Sequence, residues 1–317
     1  MAAWYDQITP KFVQNAAVLY LQQTKFDAFS MFPALPVGQP SGYIPKYKKE
    51  DWLRVGTVDL YKRVGATESV GDDYALDKQA YTTEPYAFHV DVTRRDREVY
   101  DNPFDPVRDA TWFVVNRLRM VTTALFVSSF LATNTWGADK AGGVDFTKWS
   151  DANSDPIADV LSWKQAVLEL TGFLPNRMLI TFDVFAALQT NSAIRDVLKV
   201  TSDKVVTRER LANLFDLEEL VVLDSVRTTA AKGETATSSN TGLFATKKAL
   251  LVFAPDRPSV RMPSAGYHIV YRQAGQDIRT RSIPMPQLDE ALRIEGQMEL
   301  CPKVVASDLG VYAYDVI

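Results

Sequence analysis

A single cysteine, Cys301, stands in this chain of 317 residues, so no disulfide can close within it. That count fits a reducing compartment, and a lone cysteine reads first as a small filler in a strand. Histidine is almost as scarce, with only His89 and His268. Two histidines and one cysteine far apart do not supply a zinc ligand set. A serine triad needs a histidine beside the nucleophile and an acid to orient it, and no Gly-x-Ser-x-Gly elbow occurs. Neither a Walker loop nor Gly-x-Gly-x-x-Gly is present; Asp139-Lys140-Ala141-Gly142-Gly143 is a glycine turn without the Lys-Ser/Thr that phosphate binding needs. Glu68, Asp72, Asp73 and Asp77 lack the spacing of a calcium hand and read as a solvated loop tip. No apolar run of ~20 residues spans a membrane, and no charged start followed by an apolar stretch marks a signal peptide. The net charge is −4, from 35 basic and 39 acidic residues, and no Arg-rich arm advertises a grip on polyanions. The expectation is a soluble protein without a cofactor, a metal or an enzyme's short motifs.

What is present is length and order. The chain exceeds the ~100–200 residues of one domain, so two lobes with extensions are expected. Residues Met1–Glu50 read as an arm. A short helix is expected at Pro10–Leu21. After it, Phe32 to Pro45 carries four prolines, which fix φ and remove donors, so neither a helix nor a central strand can form there. The segment is also apolar, and an extended apolar strap needs a surface to lie on; a flexible linker would be Gly/Ser-rich or charged.

Asp51–Arg97 reads as a long two-stranded ribbon. Its strands are expected at Val55–Arg63 and at Tyr86–Val92, where Tyr86, Phe88, Val90 and Val92 alternate with polar or small residues. Between them lies the acidic stretch Gly65–Pro85. A two-stranded ribbon is marginal in water and needs support from its own core or from a partner. Asp105 and Pro106 cap a long helix expected to run to Thr133, about 27 residues and ~40 Å. Its apolar stripe is Val107, Ala110, Val114, Leu118, Val121 and Leu125. Ser154–Ala254 alternates helix and strand, beginning with a second Asp155-Pro156 cap and a helix ended by Gly172. Arg227–Gly242 reads as a surface loop. From Gly266 the chain turns strand-like: Tyr267–Arg272, Gln276–Ile283, Arg293–Leu300 and Leu309–Ile317.

Two stretches carry a resemblance. One runs from Val160-Leu161-Ser162-Trp163 through Leu170-Thr171-Gly172-Phe173-Leu174-Pro175-Asn176-Arg177-Met178-Leu179-Ile180-Thr181 to Ile194-Arg195-Asp196-Val197-Leu198-Lys199. The other is Phe32-Pro33-x-x-Pro36-Val37 with Ser41-Gly42-Tyr43 and Pro45. Both, with the ending Pro302–Gly310, resemble tailed-bacteriophage major capsid proteins of the Hong-Kong-ninety-seven type.

The resemblance implies an α+β capsid fold. Residues 1–50 become the N-terminal arm and 51–97 an extended loop over an adjacent subunit. Residues 98–150 and 267–317 become a peripheral domain with the long spine helix, and 151–266 an α/β axial domain. It implies a structural subunit that self-assembles into hexamers and pentamers around double-stranded DNA, held without sequence-specific binding, in the virion and in the host cytoplasm during assembly. Scaffold, portal and decoration proteins are further implied partners. The arm begins almost at Met1, so a separate scaffold, or none, is expected.

Residues expected to touch a neighbouring subunit are Phe32, Pro33, Pro36, Val37, Tyr43, Glu68, Asp72, Asp73, Lys78, Arg94 and Arg95. The acidic tip wants basic partners, and by charge alone Lys46, Lys48, Lys49, Arg94, Arg95 and Arg97 qualify. Lys78 lies in the loop, but no matching asparagine and glutamate point to a covalent cross-link. Deleting Met1–Glu50 is expected to leave a soluble fold that cannot assemble. Two other readings compete: an encapsulin-type nanocompartment shell, and an α/β enzyme whose site would lie in Ser154–Ala254.

Overall fold

A computed structural model of the protein describes residues 30–63, 65, 68–99, 105–200, 206–231, 234–259, 262–271, 278–288 and 290–317. The expected helix Pro10–Leu21 lies outside them. In chain order the elements begin with β1 (Ala34–Val37), β2 (Ser41–Tyr47), the short helix α1 (Lys49–Leu53), β3 (Leu76–Thr82), β4 (Glu84–Val92), α2 (Arg94–Val99) and the long helix α3 (Pro106–Phe130). Next come β5 (Ala138–Ala141), α4 (Pro156–Thr171), β6 (Arg177–Thr181), α5 (Phe182–Thr190), α6 (Ser192–Val200), α7 (Arg208–Leu214) and β7 (Glu219–Leu223). The chain continues with β8 (Val226–Thr228), β9 (Thr241–Leu243), β10 (Lys248–Val252), β11 (Gly266–Tyr271), β12 (Arg279–Met285), β13 (Ala291–Val304) and β14 (Gly310–Tyr314).

The caps behave as their chemistry dictates. Asp105 accepts from the amides of Val107 and Arg108, and Asp155 from those of Ile157 and Ala158. Gly172 ends α4 at φ 76°, the left-handed position glycine reaches without cost. Thr207 accepts from the Arg210 amide and starts α7.

Two sheets carry the core. In the first, the 14-residue β13 is the axis: β12 and β11 pair with it antiparallel, β4 pairs with it over Leu292–Leu300, and β1 adds to β11 in parallel. Helix α3 lies on this sheet, packing Ala110, Val114 and Leu118 on Val92, Ile294, Met298 and Leu300. Gly296 permits the close approach. A Cβ there would meet Val114 Cγ1 at 2.5 Å and Leu118 Cδ1 at 2.7 Å. Gly296→Ala is therefore expected to cost about 1–3 kcal/mol, the range for overpacking, read as a lower midpoint in chemical denaturation.

The second sheet has the order β5-β14-β10-β6-β7. Its strands alternate strictly. Met178 and Ile180 face a core built with α4 to α7, while Leu179 and Leu250 face one built by Phe32, Phe126, Phe130 and Trp136. The C-terminal end of α3 thus reaches the second sheet while its first half lies on the first. Asn176 ties the second sheet together at one end: its amide donates to Glu218 (2.7 Å) and to the Ala254 carbonyl (3.0 Å), and its oxygen accepts from the Ala254 amide. That gives the Thr-Gly-x-x-Pro-Asn motif a structural reason.

Four expectations are corrected. Val55–Arg63 is no strand; it holds only a 3-10 turn at Val58–Tyr61. Its apolar residues do not alternate, so no strand face could be buried. The ribbon instead pairs β2 with β3, from Ser41↔Thr82 to Tyr47↔Leu76, and the strand at Tyr86–Val92 leaves the ribbon to join β13. The proline-rich segment, by contrast, forms no helix and no central strand, as expected; its strands lie in the two places that tolerate missing donors, β1 at a sheet edge and β2 in a two-stranded ribbon. Arg227–Gly242 is not all loop, since β8 pairs with β9. The last strand, β14, does not return to the sheet of β13 but sits between β5 and β10.

His268 is 4% exposed, with its ring 5.8 Å from that of Phe126 and 5.7 Å from that of Phe130. Burial pushes its pKa down to about 4. The unfolded chain takes up this proton below pH ~6.5 and the folded chain does not. Stability is thus full above that pH and falls as pH drops toward 4, by about 3 kcal/mol in total. Melting temperatures between pH 7 and 4.5 should fall more steeply for the parent than for His268→Phe.

Candidate assembly surface

From residue 34 to residue 82, no described residue is buried. This stretch contains β1, the β2–β3 ribbon and the span between its strands. The ribbon rests on the first sheet through a small apolar seam, with Ile44 and Tyr81 packing on Tyr267, Ile269 and Val305. Gln79 Nε2 donates to the Val304 carbonyl (2.9 Å), Thr83 Oγ1 to Glu299 (2.7 Å), and Lys49 Nζ to Asp308 (2.6 Å). These contacts set the ribbon's direction and bury little.

The residues expected to touch a neighbour fall into three groups. Phe32 and Pro33 are buried in the chain's own core, which corrects their assignment to a partner. The Phe32 ring lies 4.4 Å from Phe130 and 6.1 Å from Trp136, and the Arg177 guanidinium holds the Ser30 and Met31 carbonyls. This is the root of the arm, fixed inside its own subunit. Pro36, Tyr43, Lys78, Glu68, Asp72 and Asp73 are exposed and Val37 is half-buried; Tyr43 points away from the body with 70% of its surface free. Arg94 pairs with Glu98 (3.5 Å) and Glu290 (3.8 Å) and Arg97 donates to the Glu290 carbonyl, so neither is held for the acidic tip; Arg95 is exposed.

Sequence reasoning missed an aromatic group at the distal ribbon. Tyr47, Trp52 and Tyr74 form a triangle with ring centroids 5.7, 6.0 and 5.9 Å apart, and Trp52 and Tyr74 are more than half exposed. Val55 and Val58 beside them in sequence are 80% and 77% exposed. Single exposed apolar residues are ordinary, but a run of them on a projection is the kind of patch that interaction surfaces carry. The only sequence signal was aromatic density between polar residues, without period. On α3, Trp112 and Phe113 are exposed under Arg108 and Arg117, whose guanidiniums lie 4.8 and 5.5 Å from the respective rings.

The chemistry-bearing residues are placed quietly. His89 is exposed on β4, and Cys301 is half-buried in β13, where burial raises its thiol pKa and disfavours the reactive thiolate. Asp91 and Arg293 form a two-pronged pair at 2.7 and 2.9 Å across β4 and β13, and the Arg293 hydrogen bonds lower the Asp91 pKa. Among the described residues, no group of three His, Cys, Asp or Glu is placed to hold a metal, and no helix is long and apolar enough to cross a membrane.

Edge strand, projecting ribbon, long helix across two sheets and α/β lobe together match the capsid fold of the Hong-Kong-ninety-seven type. A crystallised phage-related protein from Bordetella bronchiseptica RB50 matches with a TM-score of 0.69 at 20% identity over 93% of each chain. The capsid of cyanophage P-SCSP1u matches at 0.61 and 12% identity, over 98% of this chain and 93% of that one. The SrpI encapsulin of Synechococcus elongatus PCC 7942 matches at 0.59 and 13%, over 97% and 94%. In sequence, the chain is similar to the major capsid protein of Burkholderia phage BcepMu, 20% identical over 221 residues, 69% of this chain and 70% of that protein. No family model matches.

Proposed function

We propose that this chain is the major capsid protein of a tailed bacteriophage, a structural subunit that self-assembles into hexamers and pentamers of an icosahedral shell around double-stranded DNA. The observation that carries the reading is the stretch 34–82, a projection in which no described residue is buried. Such a segment gains burial only from a neighbour, and a closed lattice repeats that gain by symmetry. The similarity to the phage BcepMu major capsid protein favours a phage shell. In this reading the first sheet with α3 is the peripheral domain and the α/β lobe the axial domain, with β14 and β5 contributed to the axial sheet by the flanking segments. The role is structural, the place is the virion, and assembly occurs in the host cytoplasm with scaffold, portal and decoration proteins as partners.

The encapsulin match supports a second reading, a shell that holds cargo protein. Electron microscopy of the purified protein should show closed particles. Particles made in the native host separate the two readings: nuclease-protected DNA supports the phage shell, and a cargo protein in its place supports the compartment. A monodisperse monomer at high concentration sinks both.

A further inference from the structure

Strand β4 has an open edge. It pairs with β13 on one side and, among the described residues, with nothing on the other. Which of its groups face outward follows from the pairing. The His268 amide donates to the Pro33 carbonyl, so even-numbered residues of β11 face β1 and odd-numbered ones face β13. Cys301 and Lys303 answer Ile269 and Tyr267, so odd-numbered residues of β13 bond toward β11 and β12, and even-numbered ones toward β4. The even-numbered residues of β4 meet them. Ala87, His89 and Asp91 therefore turn N–H and C=O outward, and Pro85 stands on that side too, so its missing donor costs the inner ladder nothing. The opposite edge, β12, is blunted: by the same alternation Thr280, Ser282 and Pro284 face outward, and Pro284 has no N–H.

The β4 edge is self-complementary. Laid antiparallel on a copy of itself with a two-fold axis at His89, Ala87 falls opposite Asp91 and His89 opposite His89. Every outward N–H from 87 to 91 then finds a carbonyl, and no Pro85 is asked to donate. On the face toward α3, Phe88 falls opposite Val90 and Tyr86 opposite Val92, aromatic against β-branched. No carboxylate opposes another, and at each end Glu84 of one copy approaches the exposed Arg95 of the other.

Helix α3 fits the same arrangement. It lies over β13 and β4, and beside β4 its Phe113 is 48% exposed, 5.9 Å from Phe88, with the Arg117 guanidinium over both rings. Joined edges put the two β13 strands three strand spacings apart, about 14 Å. Helices in direct contact sit about 8–10 Å apart, so the two α3 helices leave a gap about one side chain deep per copy. Phe113 is placed to fill it.

We infer that β4 pairs with β4 of a second copy across a two-fold axis, so that two sheets become one. The contact deepens the shell reading above and rests on it. Rings closed by head-to-tail contacts still have to be joined to one another, and an isologous contact does that.

The test is a cysteine at the axis. Residues opposite each other in a hydrogen-bonded antiparallel pair have Cα atoms about 5.5 Å apart, within reach of a disulfide. Particles of His89→Cys, oxidised with diamide, should therefore give covalent dimers on non-reducing gels, at least about tenfold more than Gln297→Cys particles. Gln297 is exposed on the same sheet, but its counterpart would lie about 14 Å away. The parent, with Cys301 alone, gives the background. Ala87→Pro removes an outward donor and leaves the ladder to β13 intact, so circular dichroism should match the parent while the yield of closed particles falls at least about tenfold. Particles of His89→Cys without the bridge, equal bridging from Gln297→Cys, or normal yield from Ala87→Pro overturns the contact and leaves the shell in place, with the edge covered by another strand or by solvent. Should Ala87→Pro fail to fold, the two cysteine variants decide alone. A parent that forms no particles removes the shell reading, and the contact with it.

Discussion

Joining Tyr47 to Leu76 through an Asn-Gly turn, in place of residues 48–75, should give a folded, soluble chain that no longer closes into shells. Tyr47 and Leu76 are directly opposite in the ribbon, so a two-residue turn closes the hairpin without shifting its register. The removed span holds no buried residue among those described, so its loss exposes little core. The seam of Ile44 and Tyr81 remains, as do the bonds of Gln79 and Thr83. The Lys49–Asp308 pair goes, but an ion pair with both side chains about a third exposed contributes only about 1 kcal/mol. The melting temperature should stay within about 4 °C of the parent. Particle yield should fall to background, because the acidic segment and the Trp52–Tyr74 aromatic surface leave together. Normal particles from this variant would show that the ribbon tip is dispensable and that the exposed span 48–75 is not what drives closure.

Phe32→Ala should act in the opposite way, lowering the stability of the subunit itself. Phe32 is 2% exposed and sits where α3, Trp136 and β11 meet. Deleting a buried aromatic ring leaves a cavity that the stiff neighbouring rings Phe126, Phe130 and Trp136 cannot fill, at a cost of about 3–5 kcal/mol. The denaturant midpoint of the variant gives that cost directly. The same contacts reverse the expectation for removal of Met1–Glu50. That deletion takes Met31 and Phe32 out of the core and strips the Arg177 guanidinium of the Ser30 and Met31 carbonyls. It should damage folding as well as assembly, so the arm's role between subunits has to be tested by cuts that leave residues 30–33 in place.

These two variants separate what local sequence could reveal from what it could not. The caps were legible because an Asp-Pro pair before an apolar stripe satisfies free amides in a way few other residues do, and both such helices start where the pair predicts. Tyr86 to Val92 was legible because its burial follows the alternation that the residues themselves display, and Arg177–Thr181 because a short apolar run suits a strand buried on both faces. The proline strap was legible as extended and apolar. Which of its residues were anchored at home was not, because Phe32 and Tyr43 are both large aromatics beside prolines, and nothing local distinguishes the one that is buried from the one that is 70% exposed.

Charge was misleading in a similar way. Arg94, Arg97 and Lys49 looked as available as Lys46 until the fold supplied Glu98, Glu290 and Asp308 from distant or neighbouring turns.

By itself the sequence determined the order of parts: an apolar proline strap, an acidic projection, a capped long helix, an α/β stretch and terminal strands. Those follow from short-range chemistry, from what φ, capping and periodicity permit within a few residues. Tertiary structure decided the pairings: that β2 meets β3, that β4 and β12 flank β13, and that β14 joins β10. Strand pairing and ion pairing are set by which distant faces bury each other best, and that competition is settled only when the whole chain has collapsed around a common core.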